Sequence, residues 1–310
     1  MARTESLDLS YAHPSWEADA TSDGGAHTWL SANAAPVAAC GGCMSANYMH
    51  AFDLMYDADL DMSTARPLVI FFHGQPTDKA ATDIITFARA LADSGFIVMN
   101  CNYPQETGAV HEGENPVTWI KTRAYAGREA IKHGRDRIDP TDFGLTYSHI
   151  IPLGSSTGGL ISVLGMIGSP DNAVEIPVST GRVDALAALW TTLPDPTDSI
   201  DRDGFGAGTL VEDKGYNYFT GTAHRNLFLA HGTLDLNPPS PYESGIEIAR
   251  QAREAGLYVE FLTLVGSPHA SWADTDEIIA ALWAFIGALD DRVGGQAKFL
   301  DGSGQAKFLD

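Results

Sequence analysis

Two serines stand side by side in residues 150–162, IIPLGSSTGGLIS, with glycines on either flank. A serine hydroxyl is a weak nucleophile until a neighbouring base takes its proton, and that base needs a third group to orient it. One backbone setting exposes such a serine, the strand-to-helix turn written G-x-S-x-G. Its outer glycines leave room where a side chain would strike the neighbouring strand or helix. Only one frame fits here. Gly154-Ser155-Ser156-Thr157-Gly158 centres on Ser156, whereas centring on Ser155 would need glycines where Leu153 and Thr157 stand. Ser156 is the candidate nucleophile, with Gly154 and Gly158 as the elbow glycines.

The partners must be an acid and a histidine. Asp235 lies in HGTLDLNPP, just after the apolar run NLFLA, and His269 lies in SPHASW, just after YVEFLTLVG. Asp235 follows Ser156 by 79 residues (235 − 156) and His269 follows Asp235 by 34 (269 − 235), room for an excursion and then for one helix–strand unit. Taken singly, each has an ordinary reading: a small turn residue, an aspartate turning its own loop, a solvated histidine. The order nucleophile, acid, base, each in a loop after an apolar strand, is what selects them together. Asp195, after VDALAALW, is the second choice for the acid.

The elements around these residues are legible from periodicity. AFDLMYDADL alternates as a strand does, and RPLVIFF, FIVMNCNY and HIIPLG are short buried strands. Helical spacing marks residues 77–95, with Thr77 as a candidate N-cap and Gly95 as the stop, and residues 115–134, with Pro116 near the start. LISVLGMIG, YESGIEIARQAREAG and TDEIIAALWAFIGAL are also helical, between the strands VDALAALW, NLFLAHG and YVEFLTLVG. Near-continuous apolar strands alternating with helices predict an α/β fold: a mostly parallel central sheet with helices on both faces. In such sheets functional groups collect at the carboxyl ends of the strands, where all three candidates fall.

Residues 1–45 read as an irregular N-terminal arm, with at most an edge strand, and residues 46–290 as the main domain. Residues 191–225 are rich in Asp, Gly, Thr and Pro and read as a loop-rich excursion over the cleft. GQAKFLD occurs twice near the C-terminus, joined by Gly-Ser, so residues 294–310 have the character of an engineered tag.

The chain has 310 residues and a net charge of −21, from 40 acidic and 19 basic side chains. That balance argues against nucleic acid or an anionic membrane as partner, since both need basic patches. No apolar run reaches the about 18 residues of a membrane span. The first residues show no apolar leader core, which leaves the compartment open with the cytoplasm favoured. Cys40 and Cys43 form CGGC; without a second such pair they lack the four ligands of a zinc site, and a local disulfide and two plain thiols both remain open. Acidic SIDRDG has no acid at the twelfth position of a calcium loop, and GFGAG follows no strand. No metal or cofactor is expected. Nothing in the sequence bears on oligomeric state.

The ordered set RPLVIFFHGQ (66–75), LADSGFIVMNCNYP (91–104), IIPLGSSTGG (150–159), LFLAHGTLDLNPP (227–239) and GSPHASW (266–272) resembles the α/β-hydrolase superfamily over roughly residues 46–290. It is most similar to bacterial esterases of the dienelactone-hydrolase, feruloyl-esterase and acetyl-esterase type, although dienelactone hydrolases proper carry cysteine where Ser156 stands. The resemblance implies a serine carboxylic-ester hydrolase acting through an acyl-enzyme, with Ser156, Asp235 and His269 as triad. It implies an oxyanion hole from the backbone N–H groups of Thr157 and Gln75, with His73 holding the latter's loop. Trp190 and Trp272 are candidate pocket walls, each with ordinary core packing as the alternative. A small-molecule ester, short-chain or compact and aromatic, is the expected partner. A serine peptidase or amidase of the same fold, and an inactive binding protein, are the competing classes.

Overall fold

The computed structural model describes residues 2–7, 52–57, 64–74, 77, 81–101, 146–167, 183–191, 217–222, 224–237, 241–293, 299–300 and 306–307. Eight of its strands form one sheet: β1 (Ala2–Leu7), β2 (Phe52–Asp57), β3 (Arg66–Phe72), β4 (Ile97–Cys101), β5 (Tyr147–Ser155), β6 (Leu186–Leu189), β7 (Asn226–Gly232) and β8 (Tyr258–Leu264). Their spatial order is β1-β2-β4-β3-β5-β6-β7-β8. From β4 to β8 every neighbouring pair is parallel; β2 runs antiparallel to β4, and β1 antiparallel to β2. Within the span read as an irregular arm, Ala2–Leu7 is thus the outermost strand of the sheet.

The helices are α1 (Thr82–Asp93), α2 (Thr157–Ile167), α3 (Tyr242–Glu254) and α4 (Thr275–Val293), with a 3-10 turn at Trp272–Asp274. Side chains alternate across a strand, and the core divides accordingly. Val69, Phe71, Ile151, Leu153, Ala187, Leu189, Phe228 and Ala230 share one hydrophobic cluster with Phe87, Leu91, Ile278, Leu282 and Phe285 of α1 and α4. The alternate residues, among them Leu68, Ile70, Phe72, Ile150, Leu227 and Leu229, are equally buried and face the other way. α2 and α3 cover that second face, where Gly245 of α3 lies against His231 of β7. The expected two-sided α/β architecture is the one observed.

One capping expectation is overturned, and others fall on residues outside those described. Thr77 does not cap α1. The helix begins at Thr82 after an extended Ala81, and the Thr77 hydroxyl donates instead to Gly74 O at 2.7 Å, tying down the loop after β3. The helix expected over residues 115–134 lies outside the described residues, as do Cys40, Cys43 and most of the 191–225 excursion. Of the C-terminal duplication, Phe299–Leu300 and Ala306–Lys307 pair as a two-stranded ladder separate from the main sheet. Among the described residues no helix is long and apolar enough to cross a membrane.

Candidate active site

β5 ends at Ser155, α2 begins at Thr157, and Ser156 alone makes the turn between them. Its φ of 53° lies in the left-handed region, strained for any residue with a Cβ. The surroundings over-determine it. Ser156 N donates to Leu189 O at 2.8 Å, and Ser156 O accepts from Gly159 N at 2.9 Å and from the Thr191 hydroxyl at 2.9 Å. The elbow glycines are required by contact: a Cβ on Gly154 would stand 1.9 Å from Gly158 O, and one on Gly158 would stand 2.1 Å from Phe72 O. The turn therefore closes only with bare backbone at both positions.

Two loops bring the other groups to this turn. After β7, Asp235 N donates back to Gly232 O at 3.1 Å, so the chain folds over, and the Asp235 side chain is buried at this turn. The loop after β8 lies alongside. Leu234 N donates to Ser267 O at 3.0 Å, Thr233 N to Leu264 O at 3.0 Å, and Gly266 N to the Thr233 hydroxyl at 2.8 Å. Gly232 lets the loops touch, since its Cβ would meet Ser267 O at 2.2 Å. Beyond His269 the loop is held by Ser267 Oγ donating to Asp274 and by the Trp272 indole N–H donating to Asp83 of α1 at 3.0 Å.

The result is one line of hydrogen bonds. His269 Nδ1 lies 2.7 Å from Asp235 Oδ2, and His269 Nε2 lies 3.0 Å from Ser156 Oγ. An ionised carboxylate only accepts, so Nδ1 carries the hydrogen and Nε2 turns a lone pair to the serine hydroxyl. Asp235 is buried, which by itself raises its carboxyl. Hydrogen bonds from His231 and His269, the charge of His269 and the Asn237 N–H pull the other way, and the net is a carboxyl held below its ordinary value of 3.8. The arrangement can take the proton of Ser156 Oγ onto His269 while Asp235 stays anionic.

A search against protein-family models finds no match, and no curated protein matches in sequence. Solved structures do match in three dimensions. A truncated carbohydrate esterase from gut microbiota superposes with a TM-score of 0.54 at 13% identity, covering 82% of this chain and 94% of its own. Thermogutta terrifontis esterase 2 phosphorylated by paraoxon gives 0.51 at 17% identity, over 77% of this chain and 89% of its own. Brefeldin A esterase, a bacterial homologue of human hormone-sensitive lipase, gives 0.50 at 17% identity, over 79% and 71%. The fold is that of the α/β-hydrolases. In open α/β sheets ligands bind outside the carboxyl ends of the parallel strands, and Ser156, Asp235 and His269 lie after β5, β7 and β8.

The remaining expected residues distribute unevenly on the α/β-hydrolase frame. Thr157 is the first residue of α2 and is buried; N–H groups in a helix's first turn have no intrahelical partner and sit at the positive end of its dipole. Gln75 and Asp195 lie outside the described residues. The described end of that loop does border Ser156, since a Cβ on Gly74 would meet Ser156 Cβ at 3.2 Å. His73 is fully buried, with Nδ1 2.9 Å from Gly74 O. Trp190 is core and presents no surface to a ligand. Its φ of 47° swings it out of strand alternation, into the cluster on the α1–α4 face, where it is 0% exposed. Trp272 is partly exposed and closes the same aromatic group, 5.3 Å from Trp190 and 4.8 Å from Phe87 between ring centroids. One residue escaped the sequence reading. His231, the sixth residue of β7, places Nε2 2.9 Å from Asp235 Oδ2. Its only sequence signal was the spacing His-x-x-x-Asp across a Gly-containing turn.

Proposed function

We propose that this chain is a serine carboxylic-ester hydrolase. The observation that carries the reading is the unbroken contact from Asp235 Oδ2 through both nitrogens of His269 to Ser156 Oγ, on a turn whose strain the fold sustains. Ser156 Oγ attacks the acyl carbonyl as its proton passes to His269 Nε2. Negative charge then gathers on the carbonyl oxygen, beside the N–H of Thr157 at the start of α2, with Gln75 N–H as the second donor. The tetrahedral species collapses, the C–O bond to the alcohol breaks, and His269 returns its proton to the leaving oxygen. Water, deprotonated by His269, attacks the acyl-enzyme by the same route and frees the acid and Ser156. Asp235 keeps the imidazole in its working tautomer and stabilises the imidazolium, remaining ionised throughout.

The substrate class follows from two considerations. The neighbours of similar fold include proteins described as carbohydrate esterase, brefeldin A esterase and esterase 2, all ester-cleaving by name. The sequence of residues 191–225, 35 residues (225 − 191 + 1), shows no long amphipathic stripe of the kind that covers a lipase groove. We read the substrate as a short-chain or compact aromatic ester. The experiment is kcat/KM on nitrophenyl esters from acetate to palmitate, with one peptide anilide alongside. Acetate or butyrate should be best and the anilide poor, because an amine leaves less readily than an alcohol. A maximum at laurate or longer would overturn the short-chain reading, and anilide turnover equal to the best ester would make the protein a peptidase or amidase.

A further inference from the structure

Asp235 serves two histidines at one oxygen. Oδ2 accepts from His269 Nδ1 at 2.7 Å and stands 2.9 Å from His231 Nε2, while Oδ1 accepts from Asn237 N at 3.1 Å. Since an ionised carboxylate cannot donate, His231 must carry its hydrogen on Nε2. The ring is also packed in place. His231 is 1% exposed; its Nδ1 faces α3 so closely that a Cβ on Gly245 would come within 2.6 Å, and Tyr242 meets the ring edge-on at 6.1 Å between centroids. A glycine in the first turn of α3 is thus what admits the imidazole.

We infer that His231 is a positioning residue for the reaction: as an Nε2–H donor it pins Asp235 Oδ2 in line with His269 and sets how strongly that oxygen holds the imidazolium. The inference rests on the esterase reading above. Two consequences follow from the shared oxygen. First, without His231 the carboxylate loses a donor that holds it in place, so the Asp235–His269 pair is no longer fixed in line with Ser156 Oγ and turnover falls. Second, a carboxylate relieved of one donor is a stronger acceptor for the other. It holds protonated His269 more tightly, and the acid limb of the activity profile moves to higher pH. A purely structural histidine would change stability and leave that limb in place. The other ionisable groups bordering the pair are accounted for. Tyr242 of α3 contacts Thr263 at 3.1 Å, and Glu247 of α3 is taken up by Arg250 and Gln251.

The test compares His231→Leu, which removes the donor, with His231→Gln, whose side-chain amide reaches toward the lost Nε2–H. His231→Leu should lower kcat on nitrophenyl acetate about tenfold, the equivalent of one ordinary hydrogen bond's worth of misplacement, with KM nearly unchanged. Its acid limb should move to higher pH, and His231→Gln should recover most of both. A second readout does not depend on turnover. In proton NMR the low-field His269 Nδ1–H resonance should move further downfield in His231→Leu and return in His231→Gln. If wild type hydrolyses no ester but the resonance responds, the esterase reading fails and the positioning role stands. If wild type is active and both limb and resonance ignore the substitutions, His231 is structural only and this inference is overturned. Should the leucine variant not fold, His231→Asn, whose amide is too short to reach Oδ2, takes its place with the same expected shifts.

Discussion

Gly158 stands where no side chain fits, and replacing it with alanine puts the elbow to a quantitative test. The added Cβ would lie 2.1 Å from Phe72 O and 2.5 Å from His73 O. Both are backbone atoms at the end of β3, so neither can swing away as a side-chain tip would. Either α2 moves off β3 or the loop after β3 is pushed outward. Inserting a methyl group into a well-packed interior costs about 1–3 kcal/mol, and a backbone overlap this deep belongs at or above the upper figure. For a domain of this size each kcal/mol is worth about 2 °C in Tm, so Gly158→Ala should melt about 6 °C or more below wild type. The displacement also carries the Thr157 N–H away from the developing oxyanion, and loss of one such donor lowers kcat by about 10²–10³. Gly287 in α4 is the control: nothing lies within 4 Å of a Cβ placed there. Gly287→Ala should gain roughly 0.5–1 kcal/mol of helix stability and leave kcat unchanged. The assay is thermal unfolding followed by circular dichroism, paired with nitrophenyl acetate turnover on the same preparations. If Gly158→Ala matched wild type in both Tm and kcat, the close-contact reasoning would be refuted.

Further substitutions probe the neighbouring groups. Ser156→Ala should lower kcat by on the order of 10⁴ or more while Ser155→Ala costs far less; the reverse ranking would move the elbow by one residue. Asp235→Asn should reduce turnover by about 10⁴ with the fold intact, measured as kcat beside an unchanged circular-dichroism spectrum. The depressed Asp235 carboxyl also links to stability. A group whose folded value is lowered contributes fully above its unfolded value of 3.8 and loses that contribution as pH falls through the folded value. The unfolding free energy of wild type over Asp235→Asn should therefore be flat toward neutral pH and shrink on acidification below that point; a difference that grew on acidification would contradict the sign. Trp272→Ala removes the ring between Trp190 and Phe87 and the bond to Asp83, and should cost about 3 kcal/mol in urea unfolding, whereas Trp272→Phe, keeping the ring contacts, should cost much less.

What could be read from the sequence was what depends on local pattern. Buried strands announce themselves as apolar runs, and RPLVIFF corresponds to β3 residue for residue. The glycine frame selected Ser156 over Ser155 because the steric demand of the turn falls on fixed neighbours, and Gly154 and Gly158 touch each other in the fold. Asp235 and His269 were legible because chain order alone places them at adjacent strand ends. What escaped depends on contacts distant in sequence or on single dihedral angles. Strand parity would put Trp190 on the α2–α3 face, and only its positive φ sends it to the other. Thr77 has the chemistry of a cap but is spent on Gly74 O, a partner three residues back that no helix pattern reveals. His231 sat in an apolar strand reading; its contact with Asp235 emerges only once the turn at residues 232–235 folds Asp235 back toward the strand.

The central claim is that Ser156 is a nucleophile activated by His269, and covalent capture tests it most directly. A fluorophosphonate reacts with a serine hydroxyl only when a base draws off its proton, and it leaves a stable phosphonyl ester on the oxygen attacked. Intact-protein and peptide mass spectrometry should show a single adduct, on Ser156, formed rapidly in wild type, slowly in His269→Ala and not at all in Ser156→Ala. An adduct on Ser155, or ester turnover that persists with Ser156 unlabelled, would contradict the account.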